Sequence, residues 1–457
     1  MRALAELLSD FGWTLTGSDQ SEPDSALTIG GQQFRIHLGH AGSHVAANTD
    51  VLIFSPAVTK SNPERLAAEQ LGIPQFSYSQ FLGELMRQRT GIAVAGTHGK
   101  TTTTAILATI LRESGLAPSA AIGGEVVQYG RSGWGGEGPL LVAESCEYRS
   151  HFLDHSPKFA AILGIEPDHF DCFPDWDSQL AAFREFAARV PEDGVLVIPA
   201  ESAAATDAAS SSEARIETTR VDLVPSPLGG EGTVFANWLA RDIRKTQTGF
   251  GFKVEHNGSP YCEAELCVPG RHNIENALAA IALAHAAGAA ADSIAKALPK
   301  FAGVRRRFEI LTTEDGITVV DDYAHHPTAI RATLQTAREH FGDRRLLVAF
   351  QPHQISRTRE LMDEFAASFA QVDELFLAPI FAARESSDAG EATLTEMANR
   401  VSGNGVSVRR LASLDRLKPT LDDAARPDDV VLILGAGNTS RIAHELAAGK
   451  IPGHHAG

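Results

Sequence analysis

Cysteine is scarce: Cys146, Cys172, Cys262 and Cys267 are the four in 457 residues. None falls in a Cys-x-x-Cys pair or in Cys/His zinc spacing. That excludes a disulfide scaffold and a zinc knuckle, and leaves reduced thiols of a cytosolic protein. An excess of positive charge is missing too. The formal net charge is −17, which argues against non-specific binding to nucleic acid or to an anionic membrane; an anionic substrate must therefore meet local basic clusters. Long apolar runs are absent. The most apolar stretch, Ala277 to Ala291, is alanine-rich, interrupted by His285 and too short to span a bilayer. No charged region followed by an apolar one opens the chain, and no repeat at solenoid periods is found. The expectation is a soluble cytoplasmic protein. Its 43% hydrophobic and 21% charged residues are an ordinary globular composition. At about 150 residues per domain, the length suggests about three domains.

The rest of the chain is arranged around Gly91-Ile-Ala-Val-Ala-Gly-Thr-His-Gly-Lys-Thr-Thr-Thr-Thr104. Ile92 to Ala95 reads as a short buried strand, Gly96-Thr97-His98-Gly99 as a tight glycine loop. Lys100 then opens a helix with apolar Ile106, Leu107, Ile110 and Leu111 on its period. Strand, glycine loop and helix in that order make a phosphate-binding loop: backbone N–H groups turn inward and the helix N-terminus adds partial positive charge. Lys100 reaches the outer phosphates and the Thr101 hydroxyl holds Mg²⁺ in this pattern. Val94 stands where the first glycine of the common spacing belongs, and Gly96 comes two positions later, so the loop is a shortened variant.

Upstream, Leu4, Leu7, Leu8 and Phe11 share one helix face, Gly12 caps that helix, and Trp13 to Thr16 reads as a strand ending at Gly17-Ser-Asp19. A strand over Val51 to Phe54 and a helix from Asn62 follow. This is an α/β nucleotide-type domain without the first strand and glycine loop that such a helix normally follows. The expectation is a domain shortened at its N-terminus, by a start assigned too late or by lost upstream residues. Downstream, Gly123 to Gly138 reads as a glycine-rich surface loop, and Ser202 to Ala214 as a solvated loop or poor helix. Strands at Ile317–Val320, Arg345–Phe350, Glu374–Ala378 and Val430–Leu434 alternate with helical patterns, implying a mostly parallel sheet. The tail Pro452 to Gly457 is expected to fray.

Polar residues gather just past strand ends, where ligands of open α/β sheets collect. Glu144, Glu147, Asp168, His169 and Asp171 are hard oxygen ligands plus one imidazole, which suits Mg²⁺ beside a polyanion. Arg271, His272, Asn273 and Asn276 lie at a helix start; their amides cap the helix or contact adenine, and spacing alone favours the cap. Asp321-Asp322-Tyr323-Ala324-His325-His326-Pro327 carries more polar chemistry than a turn needs. Gln351-Pro-His353-Gln-Ile-Ser-Arg357 sets His and Arg at a sheet edge, where guanidinium suits a carboxylate or phosphate. Arg305-Arg306-Arg307 is a basic knot at a domain junction, either a solvated linker or a source of an Arg for the nucleotide.

Together, Gly96-Thr-His-Gly-Lys-Thr101, Glu166-Pro-Asp-His169-Phe-Asp171, Gly270-Arg-His-Asn273 with Asn276, Arg305-Arg-Arg307-Phe308-Glu, the Asp321-to-Pro327 run and Gln351-Pro-His353 resemble the Mur ligases. The resemblance covers nearly the whole chain in the right order. It implies an α/β protein of three domains. Residues 1–88 form a Rossmann-like UDP-sugar-binding domain lacking its first strand. Residues 89–304 form a central P-loop ATPase-type domain with a mostly parallel sheet, and residues 305–457 a Rossmann-like C-terminal domain that closes over the nucleotide. The implied chemistry is peptidoglycan precursor synthesis: ATP phosphorylates the lactyl carboxylate of UDP-N-acetylmuramate, and L-alanine attacks the acyl phosphate to give an amide. The resemblance puts Gly96 through Thr102 and Lys100 on the phosphates, and Thr101, Glu144 and His169 on the metal. It puts Asn273, Asn276, Arg307 and Asp322 on the nucleotide. His325, His353 and Arg357 fall where sugar carboxylate and amino acid gather. ATP and Mg²⁺ are the implied cofactors, with no nucleic acid or membrane partner and a monomer or weak homodimer. One departure stands out: Glu144-Ser-Cys146-Glu147-Tyr148-Arg149 has Cys and Arg where the family runs acidic. The alternatives are a ligase that recycles whole murein peptides and a non-catalytic ATP-binding relative.

Overall fold

The computed structural model describes residues 1–20, 28–29, 32–34, 36–222, 235–312, 316–383 and 385–448; the tail Pro452 to Gly457 lies outside them. Two compact units emerge. The first holds Met1–Pro167, Asp175–Cys267 and Ile274–Ala302; the second holds Asp168–Pro174, Val268–Asn273 and the chain from Gly303 onward.

In the first unit ten strands form one sheet. It is parallel from Ser119–Val126 across to Trp238–Lys245, and antiparallel strands complete both edges. Thr90–Ala95 lies between Leu140–Glu144 and Phe159–Ile162. Its residues Ile92 to Ala95 are fully buried, so the strand reads as a continuous apolar run, as strands covered on both faces do. The helix Lys100–Glu113 is buried from Thr101 to Leu111, the mark of a helix enclosed on all sides.

Two expectations for this unit are corrected. Gly123 to Gly138 is mostly a hairpin, Ser119–Val126 paired with Arg131–Trp134, not a surface loop. The N-terminal helix Arg2–Asp10 covers it, with the Glu6 carboxylate accepting the Ser132 and Gly133 amides at 2.7 and 2.8 Å. Trp13 to Thr16 is irregular, and the strand is Gly17–Asp19. That strand pairs in parallel with Ile36–Leu38, and Leu52–Phe54 pairs in parallel with Gln75–Ser77. No strand among the described residues joins the two pairs. Asn62 caps the helix Pro63–Gln70 as expected, accepting from the Glu64 and Arg65 amides. The alanine-rich stretch after Ser202 forms a short helix, Ala203–Ala209.

The second unit is a six-stranded sheet in the order Glu309–Thr312, Thr318–Asp322, Val430–Leu434, Leu346–Phe350, Glu374–Leu377, Ser407–Arg410. Only the first pairing is antiparallel. Alternate residues feed two cores: Val348 and Phe350 pack with Ile330, Leu334 and Phe365, while Leu347 and Ala349 pack with Leu417 and Ile442. Helices therefore cover both faces, which is the doubly wound arrangement. Among the described residues no helix is long and apolar enough to cross a membrane.

Candidate active site

In the first unit the site is built on the loop between strand Thr90–Ala95 and helix Lys100–Glu113. Gly96 and Gly99 have φ of 126° and 79°, conformations that L side chains adopt only with strain. A Cβ at Gly99 would lie 2.3 Å from Asn276 Oδ1, and that same oxygen accepts from the buried Thr103 hydroxyl at 3.2 Å. Asn276 thus braces the loop from the helix His272–Ala286. The Lys100 chain folds back over the loop, with Nζ donating to the carbonyls of Gly96 at 2.5 Å and Thr97 at 3.2 Å. The same ammonium lies 3.0 and 2.8 Å from the two carboxylate oxygens of Glu147. Burial opposes the charge on Lys100, but Glu147 foremost, with Cys146 and Glu144 behind it, outweighs burial and raises its pKa. Thr101 Oγ1 donates to Glu144 Oε1 at 3.0 Å, and the Gly123 amide donates to Glu144 Oε2 at 2.7 Å. A hydroxyl and a carboxylate side by side are hard oxygen donors of the kind Mg²⁺ takes, so this pair fits that ion. His98 Nε2 lies 3.2 Å from Glu166 Oε2, and the Thr97 hydroxyl donates to the Glu166 carbonyl at 3.2 Å. Thr102 is buried in the first helical turn.

In the second unit Asp168 and Arg357 form a buried pair, Nε to Oδ1 at 2.7 Å with side chains 4% and 2% exposed. Burial alone would raise the Asp168 pKa; His169, Arg357 and His325 around it hold the carboxyl well below the usual carboxylate range instead. Arg357 also donates through Nη1 to the His353 carbonyl at 3.0 Å. His353 is pushed down to about 4, by burial first and then by that guanidinium. His325 is driven well below the ordinary imidazole value by burial and then Arg357. Its Nδ1 sits 2.9 Å from the Tyr323 carbonyl. A carbonyl only accepts, so Nδ1 carries the hydrogen and Nε2 keeps its lone pair. His169, in left-handed conformation at φ 57°, has Nε2 3.8 Å from Asp168 Oδ2.

Asp322 spends both oxygens on backbone, accepting from Phe308 N at 2.6 Å and Ala324 N at 2.7 Å. Burial raises its pKa, against the pull of Arg307. Arg306 and Arg307 both lie over the Tyr323 ring, 5.1 and 4.9 Å from its centre, and Arg306 also donates to the carbonyls of Gly435 and Gly437. Asn273 Nδ2 donates to the Pro269 carbonyl at 2.6 Å.

The structure therefore gathers the residues singled out from sequence into two groups. Gly96 to Thr102, Glu144 and Asn276 belong to the first unit; His169, Asn273, Arg307, Asp322, His325, His353 and Arg357 belong to the second. Two partners were visible in sequence only as acids at strand ends. Glu147 is the counter-charge of Lys100, and Asp168 that of Arg357. A carboxylate with no exposed surface needs a cation or hydrogen-bond donors against it, but burial is not written in local sequence.

Three family models match in order: Mur ligase family, catalytic domain, over residues 1–90; Mur ligase middle domain over 137–284; and Mur ligase, glutamate ligase domain, over 306–437. The chain is 37% identical over 450 residues to the UDP-N-acetylmuramate–L-alanine ligase of Desulfitobacterium hafniense, covering 98% of this chain and 96% of that one. It is 38% identical over 448 residues to the enzyme of the same name from Acidithiobacillus ferrooxidans, covering 97% and 94%. Among solved structures it resembles the UDP-N-acetylmuramate-alanine ligase of Thermotoga maritima, with TM-score 0.73, 28% identity and coverage of 91% and 88%. It also resembles a murein peptide ligase of Psychrobacter arcticus, with TM-score 0.72, 27% identity and coverage of 97% and 95%. With this order of domains and this length of similarity, the chain belongs to the Mur ligase family.

Proposed function

We propose that this chain joins L-alanine to the lactyl carboxylate of UDP-N-acetylmuramate, with ATP converted to ADP and phosphate, in peptidoglycan precursor synthesis. The observation that carries the reading is the pairing of an intact Lys100–Thr101–Glu144 site with near full-length similarity to ligases of that name. The division of labour follows the three segments: 1–88 for the UDP-sugar, 89–304 for ATP, and 305–457 for closing the nucleotide site and receiving the amine.

The backbone of the Gly96-to-Gly99 loop, apart from the Thr97 amide that donates to the Gly164 carbonyl, and the helix N-terminus hold the triphosphate, and the Lys100 ammonium faces the charge that grows on the transferring phosphoryl group. Preorganised electrostatics of this kind carries most of phosphoryl-transfer catalysis. Thr101, Glu144 and His169 would hold Mg²⁺, which supplies charge neutralisation and alignment of the phosphates when bound. Asn273, Asn276, Arg307 and Asp322 serve the nucleotide side. The amine of L-alanine must lose a proton before it attacks the acyl phosphate. His325, neutral and with Nε2 as its open acceptor, takes that proton, while His353 and Arg357 order the carboxylate site beside it. The protein acts in the cytoplasm as a monomer or weak homodimer, without nucleic acid or membrane partner.

The second reading, a ligase of whole murein peptides, draws on the Psychrobacter arcticus likeness. Phosphate release from ATP and Mg²⁺ with UDP-N-acetylmuramate separates the two, with L-alanine, glycine, L-serine or a murein tripeptide as amine. Release that depends on both sugar and L-alanine supports the first. Release with the tripeptide alone supports the second, and silence with every amine favours a non-catalytic relative.

A further inference from the structure

Glu144 and Glu147 stand three residues apart and face different partners. Glu144 is taken up by the Thr101 hydroxyl and the Gly123 amide. Glu147 has no exposed side-chain surface and turns to Lys100. The segment that carries Glu147 is fastened on both sides. Ser145 N donates to Val94 O, and the Ser145 hydroxyl lies 2.7 Å from His155 Nδ1. Phe152 N donates to Cys146 O, and the fully buried Phe152 ring packs on Phe183 and Phe186. Between these anchors Arg149 and Ser150 take left-handed φ of 52° and 58° in succession, a conformation held only where surroundings over-determine it. Glu147 is therefore a fixed point, and the flexible partner is the lysine.

Three acceptors surround Lys100 Nζ: two loop carbonyls and the Glu147 carboxylate. The carbonyls set its height over the loop, and the carboxylate sets its direction and keeps a compensated charge in a buried place. We propose that Glu147 is a positioning residue for phosphoryl transfer: it aligns the Lys100 ammonium at the mouth of the phosphate loop, and is not itself a metal ligand. The inference rests on the assignment of Lys100 to the phosphates.

The test uses the full chain, ATP, UDP-N-acetylmuramate and L-alanine, with Glu147→Gln and Glu147→Asp beside Lys100→Ala. Glu147→Gln keeps the shape and loses the charge. Misalignment of a catalytic group by about 1 Å costs on the order of 100-fold, so kcat falls about 100-fold while KM for ATP rises about 5-fold. The Mg²⁺ concentration for half activity stays unchanged. Glu147→Asp keeps the charge on a shorter arm and regains about 10-fold of the loss. Calorimetric titration with ATP alone, which needs neither sugar nor amine, shows the same weakening of about 5-fold. A raised Mg²⁺ requirement in Glu147→Gln makes Glu147 a metal ligand and overturns the proposal. So does unchanged or faster turnover, or unchanged ATP affinity in both variants. Should Glu147→Gln fail to fold, Glu147→Asp carries the test, with kcat about 10-fold down expected and wild-type kcat overturning. Full activity in Lys100→Ala would remove the phosphate-loop assignment itself. An inactive Lys100→Ala beside a normal Glu147→Gln removes only this inference.

Discussion

Arg357 carries its charge almost wholly out of water and against one carboxylate, Asp168, 189 residues away in sequence. Taking away one partner of such a pair strands the other. Arg357→Ala is expected to destabilise the second unit by about 3–5 kcal/mol. Adding Asp168→Asn should restore part of that loss, because no lone charge then remains. Urea unfolding of the two variants measures both effects, and a loss in Arg357→Ala below about 1 kcal/mol would show that Asp168 finds another partner. The residue type at position 357 was legible: a guanidinium at a sheet edge suits a carboxylate. Its protein partner was not, because no local pattern joins residues so distant. The same holds for Asp322, whose two oxygens are used by Phe308 and Ala324 amides. Sequence motif marks the residue, and only the fold shows which atoms it faces.

The strand, glycine loop and helix around Lys100 were the most legible element. An uninterrupted apolar run, two glycines at left-handed turns and a 3.6-residue apolar period are all local signals. Gly99 is the position with least freedom, since both its φ of 79° and its contact with Asn276 Oδ1 exclude a side chain. Gly99→Ala is expected to cost about 1–2 kcal/mol in backbone strain alone, and to displace Asn276 from the loop. ATP binding should weaken at least about 10-fold, the factor that 1.4 kcal/mol corresponds to, and the melting temperature should fall by a few degrees, as a strain of that size implies. Calorimetric titration with ATP decides it, and undiminished affinity would mean that the loop does not cradle phosphate. The hairpin of Ser119–Val126 with Arg131–Trp134 was less legible. Its glycines imitate a loop; it is sheet through the pairing of its two strands, and the carboxylate of Glu6, 126 residues before Ser132, accepts the Ser132 and Gly133 amides. Of the strands in the pairs Gly17–Asp19 with Ile36–Leu38 and Leu52–Phe54 with Gln75–Ser77, sequence pointed to Val51–Phe54 and to a strand just upstream of Gly17, at Trp13 to Thr16, but not to Ile36–Leu38 or Gln75–Ser77. Their pairing into two small sheets depends on which neighbours each strand finds.

At the scale of the whole molecule, the buried histidines tie stability to pH. His272, His325 and His353 belong to the second unit, and all three have pKa values below the ordinary 6.5, with His272 and His353 near 4. His155 in the first unit is near 4 as well, lowered chiefly by burial. In the unfolded chain each binds a proton near 6.5, whereas in the folded chain each stays neutral until far lower pH. The unfolded state therefore binds more protons inside that window, and stability rises with pH there. It is complete above about 6.5 and is lost as pH falls toward 4. Asp168 adds to the loss only below the ordinary Asp value, since its pKa is lowered. Asp321 and Asp322, raised by burial, work in the opposite direction from that value upward. The histidine effect is consequently cleanest at the upper end of the window, between pH 7.5 and 5.5. Scanning calorimetry should give a melting temperature several degrees lower at pH 5.5 than at 7.5, with the larger shift in the transition of the second unit, which holds three of these four histidines. An equal or higher melting temperature at pH 5.5, with the His325 ring found protonated there by NMR titration, would mean that these imidazoles gain protons in the folded state. His325 would then arrive at the amine already charged, and the proton-accepting role given to its Nε2 would fall with it.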